Sequence, residues 1–301
     1  MNDILTQSME AENVSGAAGE AEALGGATAE AAVAPGMAPE EAPGDVRPLR
    51  RIMLTISYDG TNYCGWQVQP NGISVQAVLQ AAIEDLVGEK INLTGASRTD
   101  SGVHALGQVA VFDTHMGIAQ ERFAMALNQR LPRDIAIQDS VEVGLDFHPR
   151  YQKTSKTYEY KIFNSRKPQP LVRLYSYFVP QRLNIDVMRQ AAGYICGTHD
   201  FKNFASTKTN VKDTVRTVYS LDLEKDGDML TLRICGDGFL YNMVRIIAGA
   251  LLKVGFGQKP PQFIREVLES DKRVIPGPTA PAHGLTLVKI DYADTQGQAR
   301  S

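Results

Sequence analysis

The residues best suited to chemistry in this 301-residue chain sit in one short run, Gly95-Ala-Ser-Arg-Thr-Asp-Ser-Gly-Val-His-Ala-Leu-Gly107. Its three glycines allow a tight backbone path. Asp100 lies at the centre, two residues from Arg98. A carboxylate with an ordinary pKa near ~4 is ionised at neutral pH, and a neighbouring guanidinium keeps it so while restraining its geometry. Such a group suits nucleophilic attack better than proton donation. The same residues also suit an Asx-turn, in which Asp100 accepts from the following backbone amides and Arg98 is merely solvated. His104 invites a general-base role, but an ionised nucleophile has no proton to give up, so His104 is read as structural.

A loop of this kind needs stiff flanks, and strands are predicted on both sides, at Lys90–Thr94 and Gln108–Phe112. Ahead of them, Arg51–Tyr58 alternates as a strand. Ser74 caps a helix with the apolar stripe Val75, Val78, Leu79, Ala82, Ile83 and Leu86, ended by Gly88. Ile73 is placed to staple onto Val78. Gln120–Arg130 reads as helical, stopped before Pro132.

After residue 150 a similar alternation begins again. Thr157–Phe163 is a strand with Tyr158, Tyr160 and Ile162 on one face, and a helix follows from about Asp186 to Ile195. Val215–Glu224 and Met229–Cys235 form a hairpin around Asp226-Gly227, which accepts the positive φ of a tight turn. A long helix, Phe239–Val254, turns Met243, Val244, Ile247, Leu251 and Leu252 inward. A short helix at Pro261–Leu268 and a strand at Leu285–Tyr292 complete the pattern. The expected fold is α+β, with two similar lobes of mainly antiparallel sheet at 49–150 and 151–293, helices packed on one side, and the catalytic cleft between them.

Residues 1–46 carry nine acids, no Lys or Arg and no aromatic residue. Such a segment buries too little apolar surface to offset chain entropy, and residues 1–48 are expected to form a disordered acidic tail, with 294–301 a flexible terminus. The tail is neither Arg-rich like a transit peptide nor built around an apolar core like a secretory signal, which points to a cytoplasmic protein. Without it the balance is 31 bases against 25 acids, near +6, a sign that the whole-chain value of −3 conceals. Seven bases fall between His148 and Arg173 against the single acid Glu159. Lys202, Lys208, Lys212 and Arg216 form a second cluster among Ser, Thr and Asn. Phosphate contacts use these residue types, although solvated surface stretches look the same. Cys64, Cys196 and Cys235 are scattered, with no disulfide framework or metal-ligand spacing. The longest apolar run, around Ile246–Leu252, is too short to span a membrane.

Arg98-Thr99-Asp100-Ser101-Gly102-Val103-His104 resembles the catalytic motif of the tRNA pseudouridine synthase family that modifies positions 38 to 40 of the anticodon arm. Other segments resemble that family in the same order. They are Tyr58-Asp59-Gly60 with Tyr63, Gly65, Trp66 and Gln67, then Ser74-Val75-Gln76, Asp146-Phe147-His148-Pro149-Arg150 and Thr157-Tyr158-Glu159-Tyr160. Phe239 with Met243-Val244-Arg245 follows, and then Gly284-Leu285 with Val288, Asp291 and Tyr292. The similarity runs from about Arg50 to Tyr292. Ser97 and Ser101 stand where the family's motif has Gly and Ala, small residues that preserve the loop path.

The resemblance implies isomerisation of uridine to pseudouridine with Asp100 as nucleophile, attacking either uracil C6 or ribose C1′. It implies no cofactor, because nothing is oxidised or transferred to another molecule. Arg98 then fills the gap left by the flipped nucleotide, and Tyr158 stacks on the uracil. Arg245 pairs with Asp100, and Leu285 forms an apolar floor under the base. A tRNA anticodon arm and a second copy of the chain are the implied partners. Three rival readings stay open: the same reaction on other positions or another RNA, a non-catalytic RNA-binding module, and a glycosidase-like hydrolase, which needs a second carboxylate.

Overall fold

The computed structural model describes residues 47–70, 72–206 and 211–293. The acidic segment and the residues after 293 lie outside them. Strands and helices alternate in the order β1 (Arg50–Tyr58), α1 (Val75–Val87), β2 (Thr94–Gly95), β3 (His104–Thr114), α2 (Arg122–Asn128) and β4 (Ile135–Val143). There follow β5 (Thr154–Phe163), β6 (Tyr177–Phe178), α3 (Ile185–Gly193), β7 (Gly197–Asp200), β8 (Val215–Asp226) and β9 (Met229–Gly236). The series ends with α4 (Met243–Gly255), α5 (Phe263–Glu269) and β10 (Leu285–Tyr292). The fold is mixed α+β.

All the strands belong to one sheet, whose main path runs β4-β1-β3-β10-β5-β9-β8-β7; β2 pairs with β3, and β6 with β5. The ladders are antiparallel except β10 with β3 and β6 with β5. The expectation of separate sheets thus gives way to a single one, because β10 bridges the two halves. Leu287 lies opposite Ala105 on one side and Tyr158 on the other. The strand leaving the Asp100 loop and the strand carrying Tyr158 are therefore held two strand spacings apart, roughly 10 Å.

Local sequence explains most of the elements. Ile52, Leu54, Ile56 and Tyr58 are buried along β1, as are Tyr158, Tyr160 and Ile162 along β5, the period of two that a half-buried strand requires. Ser74 Oγ accepts from the Ala77 amide at 3.2 Å, and Gly88 closes α1 at φ 73°. The staple does not form: Ile73 is 66% exposed, and its carbonyl accepts from the Cys64 amide instead. The strand expected at Lys90–Thr94 shortens to Thr94–Gly95, and the long helix begins at Met243 rather than Phe239. β4 was not anticipated. Its burial alternates only from Ile135 to Ile137, because a register shift opposite Thr55 and Ile56 interrupts the pairing.

Nearly every residue of α4 is buried. The segment 277–280 crosses it closely: a Cβ on Gly249 would stand 1.8 Å from the Pro278 carbonyl oxygen. Among the described residues, no helix is long and apolar enough to cross a membrane.

Candidate active site

The run from Ala96 to Val103 leaves β2 and enters β3, and buried groups fix it residue by residue. Gln108, fully buried, accepts from the Ser97 amide at 3.2 Å and donates to the Ser97 carbonyl at 2.7 Å. The Thr99 hydroxyl meets that of Tyr58 at 2.7 Å, and the Thr99 carbonyl accepts from the Trp66 amide at 3.1 Å. Ser101 Oγ and the Gly102 amide both donate to the Tyr63 carbonyl. The segment 58–66 is therefore a cradle for the loop. Glycine is required at Gly65, which has φ 102° and would place a Cβ 2.5 Å from the Thr99 carbonyl oxygen. Gly95 lies against the Trp66 ring in the same way: a Cβ there would stand 2.3 Å from Nε1.

Held this way, Asp100 faces a cavity of about 950 Å³. Among the described residues that line it, Asp100 is the only carboxylate, and Arg98, Arg150, Lys156 and Arg216 are the cations. Tyr158, Phe239 and Leu285 give it an apolar wall. Arg98, Asp100, Tyr158 and Leu285, far apart in sequence, thus meet at one space. Arg245, from α4, is not itself a lining residue but backs Asp100: its Nη1 donates to Asp100 Oδ2 at 3.0 Å across 145 residues of chain. Arg245 Nε also donates to the Ala280 carbonyl at 2.7 Å, and the Ala280 amide to the Arg245 carbonyl at 3.1 Å.

The electrostatics differ from those read in the loop alone. The guanidinium on the carboxylate is that of Arg245, whereas Arg98 is exposed at the cavity with no ion pair among the described residues. Asp100 accepts no backbone amide among the described residues, as an Asx-turn would demand. Burial raises the Asp100 pKa above the ordinary carboxylate value, and the hydrogen bond and charge of Arg245 only partly counter it.

Tyr158 is buried, its ring edge-on to Phe239 at 5.3 Å, and its hydroxyl meets Ser97 Oγ at 3.1 Å. Burial pushes that phenol up to about 12, against the lowering effect of the Ser97 contact. Leu285 is buried and lies opposite Tyr160. His104 does not line this cavity. Its Nδ1 accepts from the Gly60 amide at 3.0 Å, leaving Nε2–H for the Leu174 carbonyl, also at 3.0 Å.

Among the described residues, the two basic stretches contribute Arg150, Lys156 and Arg216 to the wall; Lys208 lies outside the described residues. Arg150 donates to the Gly95 carbonyl at 2.7 Å, and its pKa is lowered by burial and then by Arg98. Burial lowers Lys156 too, reinforced by Arg150 and Arg216. None of these four cations has a carboxylate within ion-pair distance among the described residues, whereas Lys161 and Lys202 are paired to Glu159 and Asp200. Lys156 had a sequence signal: it precedes Tyr158 by two residues on the same strand face. Phe239 and Asn242 were not singled out as site residues, because periodicity made them the start of a helix.

A family model described as "tRNA pseudouridine synthase" matches residues 54–152 and 191–293. The "tRNA pseudouridine synthase A" of Acetivibrio thermocellus is 50% identical over 244 residues, 81% of this chain and all of that relative. Those of Caldicellulosiruptor bescii and Geotalea uraniireducens are each 46% identical with the same coverage. The chain belongs to the tRNA pseudouridine synthase A family, isomerases that convert uridine to pseudouridine in the anticodon arm of tRNA.

Proposed function

We propose that Asp100 is the nucleophile of this isomerisation and that its targets are positions 38 to 40. The observation that carries the assignment is that Asp100 is the sole carboxylate among the described lining residues of a cation-rich cavity. A retaining glycosidase needs two carboxylates flanking its bond, so the same observation weighs against that rival. The reaction begins with attack by the carboxylate on uracil C6 or ribose C1′. The C1′–N1 bond breaks, the uracil turns within the cavity, and C5 bonds to C1′ as the carboxylate is released. C5 loses its proton and N1 gains one. No electrons are gained or lost overall, so the chemistry calls for no cofactor.

The other residues take roles that match their positions. Arg98, exposed at the rim, stacks into the gap left by the flipped nucleotide. Tyr158 stacks on the uracil and offers its hydroxyl near C5. Arg245 orients Asp100, and Leu285 is the apolar floor. Arg150, Lys156 and Arg216 take phosphates of an RNA recognised chiefly by shape. The segments 49–150 and 151–293 act as two lobes with helices on one side and the cavity between them. The working enzyme is a cytoplasmic homodimer whose cleft both chains share.

The test uses tRNA carrying tritium at uracil C5. Asp100→Asn is expected to bind tRNA like the parent and to release no tritium. Substantial turnover by that variant would overturn the nucleophile assignment, and mapping the pseudouridines fixes the target positions.

A further inference from the structure

Asn242 stands out in two independent respects. Among the described residues it is the only non-glycine with positive φ, at φ 62° and ψ 5°. It also occupies the N-cap of α4, where an Asn side chain ordinarily accepts a backbone amide of the first turn, yet its side chain makes no cap bond. The side chain is spent elsewhere: Oδ1 accepts from Arg245 Nη1 at 3.0 Å. That nitrogen is the one that also donates to Asp100 Oδ2 at 3.0 Å.

The chemistry of the pair fixes its orientation. A guanidinium only donates, so the amide must turn its oxygen toward Arg245. Nη1 then divides its two hydrogens between Asp100 and Asn242, while Nε is held by the Ala280 carbonyl. Three acceptors on different segments stop the guanidinium from rotating about its own plane. A neutral acceptor does this without competing for the positive charge, as a second carboxylate would. Glycine would meet the demand of the left-handed backbone without strain. Asn is among the few side chains that tolerate this backbone, and its side-chain bond here goes to Arg245 rather than to the turn.

We propose that Asn242 is a positioning residue for the isomerisation, locking the Arg245 guanidinium so that it holds the Asp100 carboxylate in its attacking orientation. The inference rests on the reading of Asp100 as nucleophile. The charged and titratable groups around that carboxylate are Arg98, Cys64, Tyr158, Lys156, Arg150, Arg216 and Tyr241 at the cavity and Arg245 from α4, which is itself flanked by Tyr160 of β5 and by His283.

Two variants separate positioning from a purely conformational role. Asn242→Gly keeps the left-handed backbone and removes the amide, whereas Asn242→Ala removes the amide and strains the backbone. Both are compared with the parent full-length chain for kcat, KM, pH profile and melting temperature. Positioning predicts that both lose kcat by roughly ten- to a hundredfold, with KM within about threefold, as a slight misplacement of a reacting group does. It also predicts that the acidic limb of kcat moves to higher pH in both, since a loosened Arg245 stabilises the carboxylate less. Asn242→Gly should melt no lower than the parent, and Asn242→Ala lower. Parental kcat in Asn242→Gly, or an unmoved acidic limb, overturns the proposal. If Asp100→Asn is inactive while Asn242→Gly is normal, only this inference fails; if Asp100→Asn turns over, the nucleophile reading itself is lost.

Discussion

Asp100 and Asp59 are two half-buried carboxylates on the same supporting network, and their surroundings set them apart. Asp59 accepts from the Thr61 amide at 3.0 Å, the Thr61 hydroxyl at 2.6 Å and the Tyr175 hydroxyl at 2.7 Å. Burial pushes its pKa up, but these bonds outweigh it and the net shift is downward. Asp100 has one donor, Arg245, and its net shift is upward. The comparison teaches that burial alone does not mark a reactive carboxylate. Asp59, with three donors on its two oxygens, is a strut, whereas Asp100, with one, keeps more of its lone pairs for a substrate in the cavity.

The linkage signs follow from those directions. Asp59, lowered, adds stability above its ordinary pKa that disappears as pH falls through the lowered value. Asp100, raised, does the reverse: its contribution is present at low pH and is lost as pH rises through the raised value. At Asp100, stability is opposed to the ionised form that attack requires.

Paired substitution gives the largest expected contrast. Asp100→Asn should lower turnover by roughly 10,000-fold or more, the scale of a lost nucleophile, with little change in melting. Asp59→Asn should stay within about threefold in turnover while losing ~1–2 kcal/mol in denaturant unfolding. Equal losses of activity in the two variants would erase the distinction. Next comes Arg245→Gln, which leaves Asp100 without its cation. Its expected cost is roughly a hundred- to thousandfold in kcat, with the acidic limb of the rate profile displaced further toward neutral pH. A normal profile would mean that Arg245 serves packing alone.

Lys156→Met sharpens the comparison from the side of the substrate. KM should rise about tenfold at constant kcat, and the slope of log KM against log salt should fall by about 0.7 to 0.9, one phosphate contact's worth. An unchanged salt slope would take Lys156 out of phosphate binding. The smallest effect is expected from Ser97→Gly, which removes the partner of the Tyr158 hydroxyl. A loss near threefold corresponds to one ordinary hydrogen bond; a loss beyond about tenfold would place Ser97 in the proton transfer itself.

What the sequence made legible was local. Ser74 and Gly88 bound α1 because cap chemistry is written in one or two residues. The aromatic face of β5 follows from a period of two, and the loop around Asp100 stands out by composition. The rest depends on partners remote in sequence. Nothing near Asp100 announces that its guanidinium comes from Arg245 rather than Arg98. Nothing in 239–254 marks Asn242 as left-handed, because the apolar spacing of Leu240, Met243 and Val244 continues across it. β4 was hidden for a related reason, since a register shift breaks the alternation by which a strand is read.

The placement of β10 has a consequence for synthesis. This strand is among the latest elements to be translated, yet it lies in the middle of the sheet, between β3 and β5. Until it is delivered, the Asp100 loop and the Tyr158 strand belong to two unconnected pieces of sheet, each with an unpaired edge. A ribosome-bound intermediate therefore has both halves of the site without the spacing between them. A chain stopped before residue 285 would lack both the strand that sets this spacing and the Leu285 wall of the cavity, and is expected to be inactive.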